Sequence, residues 1–237
     1  MMALAVAATA GLSIAQTNSS TITSTGSTNT GAVTQTGTLN GSTVVQTGDF
    51  NWASVSQTGI LNKAAGIQTG NINEIYQNQI GDNNGAEIDQ MGNDNKSIQS
   101  QGTWGGNIYE SSFNNAEIGQ HGSGNYSEQF QNGGSVNLAT STIVGDGNRT
   151  EQYQWGSMNE SDANVIGSSN VSHQGQVTSN NVATLQQNGV GNRVWQYQGG
   201  IGNNATANQL GNDNNTVQWQ EGAGHIANAQ QTGNLNS

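Results

Sequence analysis

Gln46-Thr47-Gly48-Asp49-Phe50-Asn51-Trp52-Ala53-Ser54-Val55-Ser56-Gln57 is one period of a repeat whose beat is the glutamine at each end. Gln46, Gln57, Gln68, Gln79, Gln90 and Gln101 follow at intervals of eleven residues, and the beat returns at Gln176, Gln187, Gln198, Gln209, Gln220 and Gln231. Around them recurs the pattern Gln-x-Gly-x-x-Asn, as in Gln209-Leu210-Gly211-Asn212-Asp213-Asn214. Self-similarity at a fixed period marks a stacked architecture rather than one globular core, because each unit buries its inner face only against its neighbours.

With each Gln counted as position zero, Gly falls at position two and Asn at position five. Positions five, seven, nine and eleven then share one face of an extended strand. That face is small, apolar or amide, for example Asn84, Ala86, Ile88 and Gln90, or Asn192, Val194, Gln196 and Gln198. Charges test the phase, since a buried unpaired charge is prohibitive in a thin core. All 15 acids avoid the inward positions, and Lys63, Lys96, Arg149 and Arg193 each stand at position six, on the outward face. Gly48, Gly59, Gly81, Gly92, Gly200 and Gly211 occupy position two, where a tight reversal calls for positive φ.

A longer period lies above the first. From residue 73 on, position nine alternates between Gln (Gln77, Gln99, Gln129, Gln152, Gln174, Gln196, Gln218) and small or apolar residues (Ile88, Ile118, Ala163, Leu185, Ala207, Ala229). The structural unit is therefore about 22 residues, one coil of two strands. The expected fold is an all-β solenoid of strand-turn-strand coils with two facing parallel sheets, one Gln-rich and one aliphatic, able to extend as a cross-β fibre. Before residue 73, Val33, Val44 and Val55 break the alternation.

Composition bounds the function. Only 31% of the 237 residues are hydrophobic and 8% charged, too few for a conventional core. Proline, the usual interrupter of a β-ladder, is absent, and so is cysteine, which removes disulfides and thiolate chemistry. A net charge of −11 with four basic residues argues against binding nucleic acid or an anionic membrane. His121, His173 and His225 sit at unlike positions of the unit, and no Ser/His/Asp group or phosphate-binding fingerprint stands in a sensible context. Neither an enzyme nor a cofactor or metal site is expected.

The apolar stretch 1–15 (MMALAVAATAGLSIA) reads as a secretory signal, and no other segment is long and apolar enough for membrane insertion. A polar segment follows over 16–28, and then about nine coils over 29–237. Residues 102–113 disturb the beat, because Gln101 and Gln120 are 19 apart, and are expected to form an excursion loop or an irregular extra strand. A one-residue insertion precedes Asn137.

The pattern Gln-x-Gly-x-x-Asn-x-Ala-x-x-x-Gln resembles the curlin repeat, the unit of bacterial curli amyloid. Full matches stand at Gln46 to Gln57, Gln57 to Gln68, Gln79 to Gln90 and Gln198 to Gln209, with looser copies from Ser24 to Ser237. Departures occur at Thr178 in place of the turn Gly, Ile143 and Val165 in place of Gln, and His225 in place of Asn. The resemblance implies secretion in an unfolded form through an outer-membrane pore, a nucleator subunit as partner, and extracellular fibres of a biofilm matrix. The role within such fibres, major subunit or nucleator, stays open, as does a monomeric solenoid that binds ice or carbohydrate.

When coils stack, inward amides lie over their equivalents and can bond in ladders. The expected ladder members are Gln46, Asn51, Gln57, Asn62, Gln68, Asn73, Gln79, Asn84, Gln90, Asn95, Gln101, Asn114, Gln120 and Asn125, then Gln131, Asn148, Gln154, Asn170, Gln176, Asn181, Gln187, Asn192, Gln198, Asn203, Gln209, Asn214, Gln220 and Gln231. Subunits are expected to add end to end to copies of themselves, since the repeat runs to Asn236 without an evident cap. At outward position ten, Phe130, Tyr153, Tyr197 and Trp219, interrupted by Gly175, form an aromatic stripe. Cross-strand packing and lateral bundling of fibres both account for such a stripe.

Overall fold

Two-residue alternation along each unit becomes a strand, and the glycine two residues past each Gln becomes a reversal, so the chain winds between two sheets. The computed structural model describes residues 17–104, 107–108 and 111–237. The expected signal over 1–15 lies outside them.

The first sheet is built from β1 (Ser19–Thr25), β3 (Gly41–Thr47), β5 (Lys63–Thr69), β7 (Gly85–Met91), β12 (Asn115–His121), β14 (Leu138–Val144), β16 (Glu160–Ser168), β18 (Val182–Val190), β20 (Asn204–Leu210) and β22 (Ile226–Thr232). The second contains β2 (Thr30–Thr38), β4 (Trp52–Ile60), β6 (Glu74–Asp82), β8 (Lys96–Gln101), β13 (Tyr126–Asn132), β15 (Arg149–Trp155), β17 (Val171–Val177), β19 (Arg193–Ile201) and β21 (Asn215–Ala223). Every pairing within these two sheets is parallel, and Gln46 lies over Gln68 as Gln57 lies over Gln79. This is a β-solenoid with coils of 22 residues, and the two-sheet division of the Gln-rich and aliphatic strands follows the alternation at position nine.

β1 lies inside the segment 16–28 that the sequence sets apart from the repeat, so coiling begins ten residues before residue 29. Ser24 occupies the place of the beat Gln there, pairing with Gln46, and the amide marker is missing. The excursion contains a small antiparallel hairpin, β9 (Thr103–Trp104) with β10 (Asn107–Ile108), followed by β11 (Ser111–Ser112). β11 pairs with Gly81 and Asp82, back on the solenoid path. An eight-residue insertion thus leaves the turn without disturbing the stack: Gln90 and Gln120 meet across 30 residues instead of 22.

Little of the core is conventional. One apolar cluster holds Val33, Val44, Ala53, Val55, Ala64, Ile75, Ile88 and Ile118, and a second holds Ile143, Ala163, Val165, Leu185, Val194 and Ala207. The valines that break the alternation before residue 73 belong to the first cluster: there both sheets face inward with aliphatic side chains. Elsewhere the interior is amide, and Gln57, Gln79, Gln99 and Gln101 are at most 1% exposed.

Candidate functional site

Each inward Gln is held by two sets of bonds. Gln57 donates from Nε2 to the backbone carbonyl of Gly41 in the facing sheet at 3.0 Å, and to Oε1 of Gln79 in the next coil at 2.8 Å. The first bond settles which end of the amide is nitrogen, because a carbonyl only accepts. The ladder therefore has a direction: every Nε2 points toward the C-terminal coil. In the second sheet it runs without a break from Gln35 through Gln57, Gln79, Gln101, Gln131, Gln154, Gln176 and Gln198 to Gln220, with steps of 2.8–3.0 Å. A parallel run joins Gln77, Gln99, Gln129, Gln152, Gln174, Gln196 and Gln218, each also donating across to the facing sheet, as Gln99 does to the Glu87 carbonyl at 2.8 Å.

Asn adds a turn clamp to its own ladder bonds, such as Asn73 Nδ2 to Asn51 Oδ1 at 3.1 Å. Asn51 Nδ2 donates to the Gly70 carbonyl at 2.7 Å, and its Oδ1 accepts from the backbone N–H of Asn73 at 3.0 Å. One side chain thus clamps both ends of the next coil's Gly-x-x-Asn turn, 19 and 22 residues ahead. This gives the motif its physical meaning: Gly supplies the carbonyl, and Asn supplies both the clamped N–H and the next clamp. Asn62, Asn84, Asn95, Asn114, Asn125, Asn148, Asn170, Asn181, Asn192, Asn203 and Asn214 all donate the equivalent backbone N–H to Oδ1 of the preceding clamp. Asn40, Asn137 and Asn159 belong to the series too and are missing from the expected set. Asn40 and Asn159 stand five residues past Gln35 and Gln154, a signal the period already contains.

The turn glycines are required twice over. Gly59 has φ of 125°, and a Cβ there would collide with the carbonyl of Gly81, the atom that takes Asn62 Nδ2. A second left-handed residue at position four escapes the sequence pattern because it is not restricted to glycine: Phe50, Leu61 and Ile72 adopt φ of 59–61°.

Residues 26–59 match the family model described as the curlin associated repeat. Over this stretch the chain is similar to the curlin repeat. No curated protein sequence matches the chain.

Where the curlin pattern lapses, the ladder responds locally. Val165 stands before Gln187 and Ser24 before Gln46, and in both cases the glutamine's Oε1 is buried without a donor. Val55 leaves Gln77 Oε1 in the same state. Ile143 and Val165 fill the two-coil gap in the first sheet's ladder with a fully buried apolar pair. Thr178 adopts φ of 81° at the turn-glycine position and hydrogen-bonds through Oγ1 to the Gly200 carbonyl. His225 donates its backbone N–H to Asn203 Oδ1 at 2.9 Å.

The solenoid's outward face is not uniform. Phe130 and Tyr153 stack at 5.6 Å, and Tyr197 and Trp219 meet tilted at 4.3 Å, but Gly175 separates the two pairs. The aromatic path instead sidesteps to position eight, from Tyr153 to His173 at 5.2 Å and on to Trp195 at 4.1 Å. His173 Nδ1 lies 3.1 Å from Glu151 Oε2, and Arg149 pairs with the same carboxylate. The His173 bond, with Arg149 beside it, holds the Glu151 carboxyl below the usual carboxylate range. Tyr126 and Tyr153 both donate to Glu128 Oε2, and burial together with that carboxylate pushes both phenols up. Among the described residues no group of three His, Cys, Asp or Glu could hold a metal ion, and no helix is long and apolar enough to cross a membrane.

Proposed function

We propose that the chain is a structural subunit of extracellular, curli-like fibres, adding end to end to further copies of itself as an extension of its own solenoid. The observation that carries this reading is the direction of the amide ladders. Gln220 and Gln231, in the last two strands, donate to the facing sheet at 2.8–3.0 Å and have no next-coil acceptor among the described residues. Gln220 retains a second N–H suited to an Oε1 of the kind that begins the second sheet's ladder at Gln35, whereas the first sheet of Gln231 begins with Ser24 at the equivalent position. Ends of this kind are complementary to each other and not to themselves, which favours head-to-tail, polar growth. The backbone edge of β22 adds unpaired ladder groups of the sort that template further strands. Export through an outer-membrane pore and seeding by a nucleator subunit follow from what curlin repeats imply.

The test is dilution of residues 16–237 from denaturant, with amyloid-dye fluorescence followed in the presence and absence of preformed seeds. A lag phase abolished by seeds is expected. A stable, soluble, dye-negative β-rich monomer would refute self-assembly.

A further inference from the structure

The turns that lead from the second sheet to the first carry an apolar row along the edge of the solenoid. Leu39, Leu61, Phe113, Val136 and Met158 each stand at the left-handed apex of such a turn, with φ of 57–62°, and are 42–62% exposed. Backbone bonds stack successive apexes, as from the Phe113 N–H to the Asp82 carbonyl and from the Val136 N–H to the Ser112 carbonyl. Asn83 alone interrupts the row, and from Asn180 on the apex is Asn or Gly. This exposure is not that of a chain end, because Val136 and Met158, in the middle of the stack, are more exposed than Leu39. The excursion hairpin leaves the row uncovered as well, since Phe113, just after it, is the most exposed of the five.

The fold does not ask for these side chains. Gly202 and Gly224 hold the same apex at φ of 71° and 70°, and a Cβ built on either meets no atom within 4 Å. A side chain there points away from its own chain. Left-handed backbone disfavours every L-residue and a β-branched one most, yet Val136 adopts it. Apolar side chains that carry strain, gain little packing at home and repeat along one edge mark a contact surface.

The opposite edge differs. Its apexes are apolar only at Phe50, Ile72 and Leu235, and its turns carry Asp49, Asp94, Asp146 and Asp213. Among the described residues, the turns of the apolar edge carry Asp82 alone, whose Oδ1 accepts the Ile60 N–H. With a net charge of −11, two copies meet on this edge with less repulsion than on the other.

Shape selects the partner. Along the stack the apexes run Leu39, Leu61, Asn83, Phe113, Val136, Met158, five steps of about 4.8 Å each. Beside Asn83 lies a recess of about 360 Å³, flanked by Leu61 and Phe113 and reaching Gly85. A twofold axis between Asn83 and Phe113 lays each Phe113 over the other copy's recess, Val136 against Leu61 and Met158 against Leu39. The row is thus complementary to itself when antiparallel. So narrow a row falls short of the roughly 800 Å² per partner that a stable pair of soluble chains buries, but in a fibre it recurs in every subunit.

We propose that this edge joins fibres side by side in antiparallel pairs, each row seated on the same row of a second copy; the pairing rests on the fibre reading above. The test grows seeded fibres of the full chain and images them by negative-stain electron microscopy. Parent fibres should lie in pairs. Leu61→Asn/Val136→Asn/Met158→Asn places at three apexes the residue that Asn83 and Asn180 show to fit there. It should elongate at the parent's rate and lower the paired fraction at least tenfold, whereas Phe50→Asn/Ile72→Asn, on the opposite edge, should leave pairing unchanged. The chain has no cysteine, so Leu61→Cys and Val136→Cys chains grown together should form disulfide-linked chain dimers under copper–phenanthroline, and neither should do so alone. This crosslink decides the matter where the triple variant fails to elongate. Parent-like pairing in the triple variant, equal loss in Phe50→Asn/Ile72→Asn, or dimers from Leu61→Cys alone overturns the proposal. A parent that elongates as single filaments overturns the pairing and spares the fibre reading; a parent that does not elongate overturns both.

Discussion

Replacing Gln57 with Ala removes one step from the unbroken ladder. The side chain is fully buried. Its Nε2 serves the Gly41 carbonyl at 3.0 Å and Gln79 Oε1 at 2.8 Å, and its Oε1 takes Gln35 Nε2 at 2.8 Å. Truncation leaves two buried acceptors without these donors, at about 1–3 kcal/mol each, and adds a cavity, for a total of about 3–5 kcal/mol. If the chain folds as it adds to a fibre end, the soluble concentration left at the plateau of seeded assembly reports this loss. It should rise about a hundredfold or more, each 1.4 kcal/mol being a factor of ten. Gln57→Leu refills the volume but not the bonds, and should recover only the cavity part, about 1 kcal/mol. Gln186→Ala, at an outward and exposed position, is the control and should change stability by no more than about 0.5 kcal/mol. A plateau for Gln57→Ala within threefold of the parent would refute the claim that amide ladders hold the coils together.

Thr178→Gly should stabilise the fold by about 1–2 kcal/mol, since a β-branched residue is relieved of φ at 81°, whereas Gly59→Ala should abolish assembly by colliding with the Gly81 carbonyl; guanidinium dissociation of fibres measures both. Ser24→Gln should supply the donor that Gln46 Oε1 lacks and lower the plateau concentration by about fivefold, for about 1 kcal/mol gained. Because the folded Glu151 carboxyl titrates below its unfolded value near 4.5, its contribution is complete above that pH and is lost as pH falls through the folded value. The acid-induced rise in soluble chain should therefore be shallower for Glu151→Gln than for the parent, as measured by sedimentation across the carboxylate range.

Much of the fold is legible in the residues because an eleven-residue beat, a two-residue alternation and the segregation of charge all describe one strand phase. What stays hidden does so for local reasons. β1 is hidden because Ser24 replaces the marker amide, so Thr and Ser alternate without a signal of which face is inward. The second left-handed position is hidden because Phe50, Leu61 and Ile72 carry no glycine signature. The aromatic path around the interruption at Gly175 is hidden because strand position alone does not say how far a ring leans: Tyr153 reaches diagonally to His173, two positions away on the neighbouring strand.

By itself, the sequence determined the period, the inward face, the two-sheet division and the curlin-like unit, since these depend only on which residue types recur at which spacing. Only the tertiary structure decided what each amide does there. The direction of the Gln ladder is set by a carbonyl in the facing sheet, and the Asn clamp by a carbonyl and an N–H one coil ahead. Such bonds join atoms that become neighbours only when the coil closes, so composition and spacing bring the residues together while the backbone of the next coil chooses donor and acceptor.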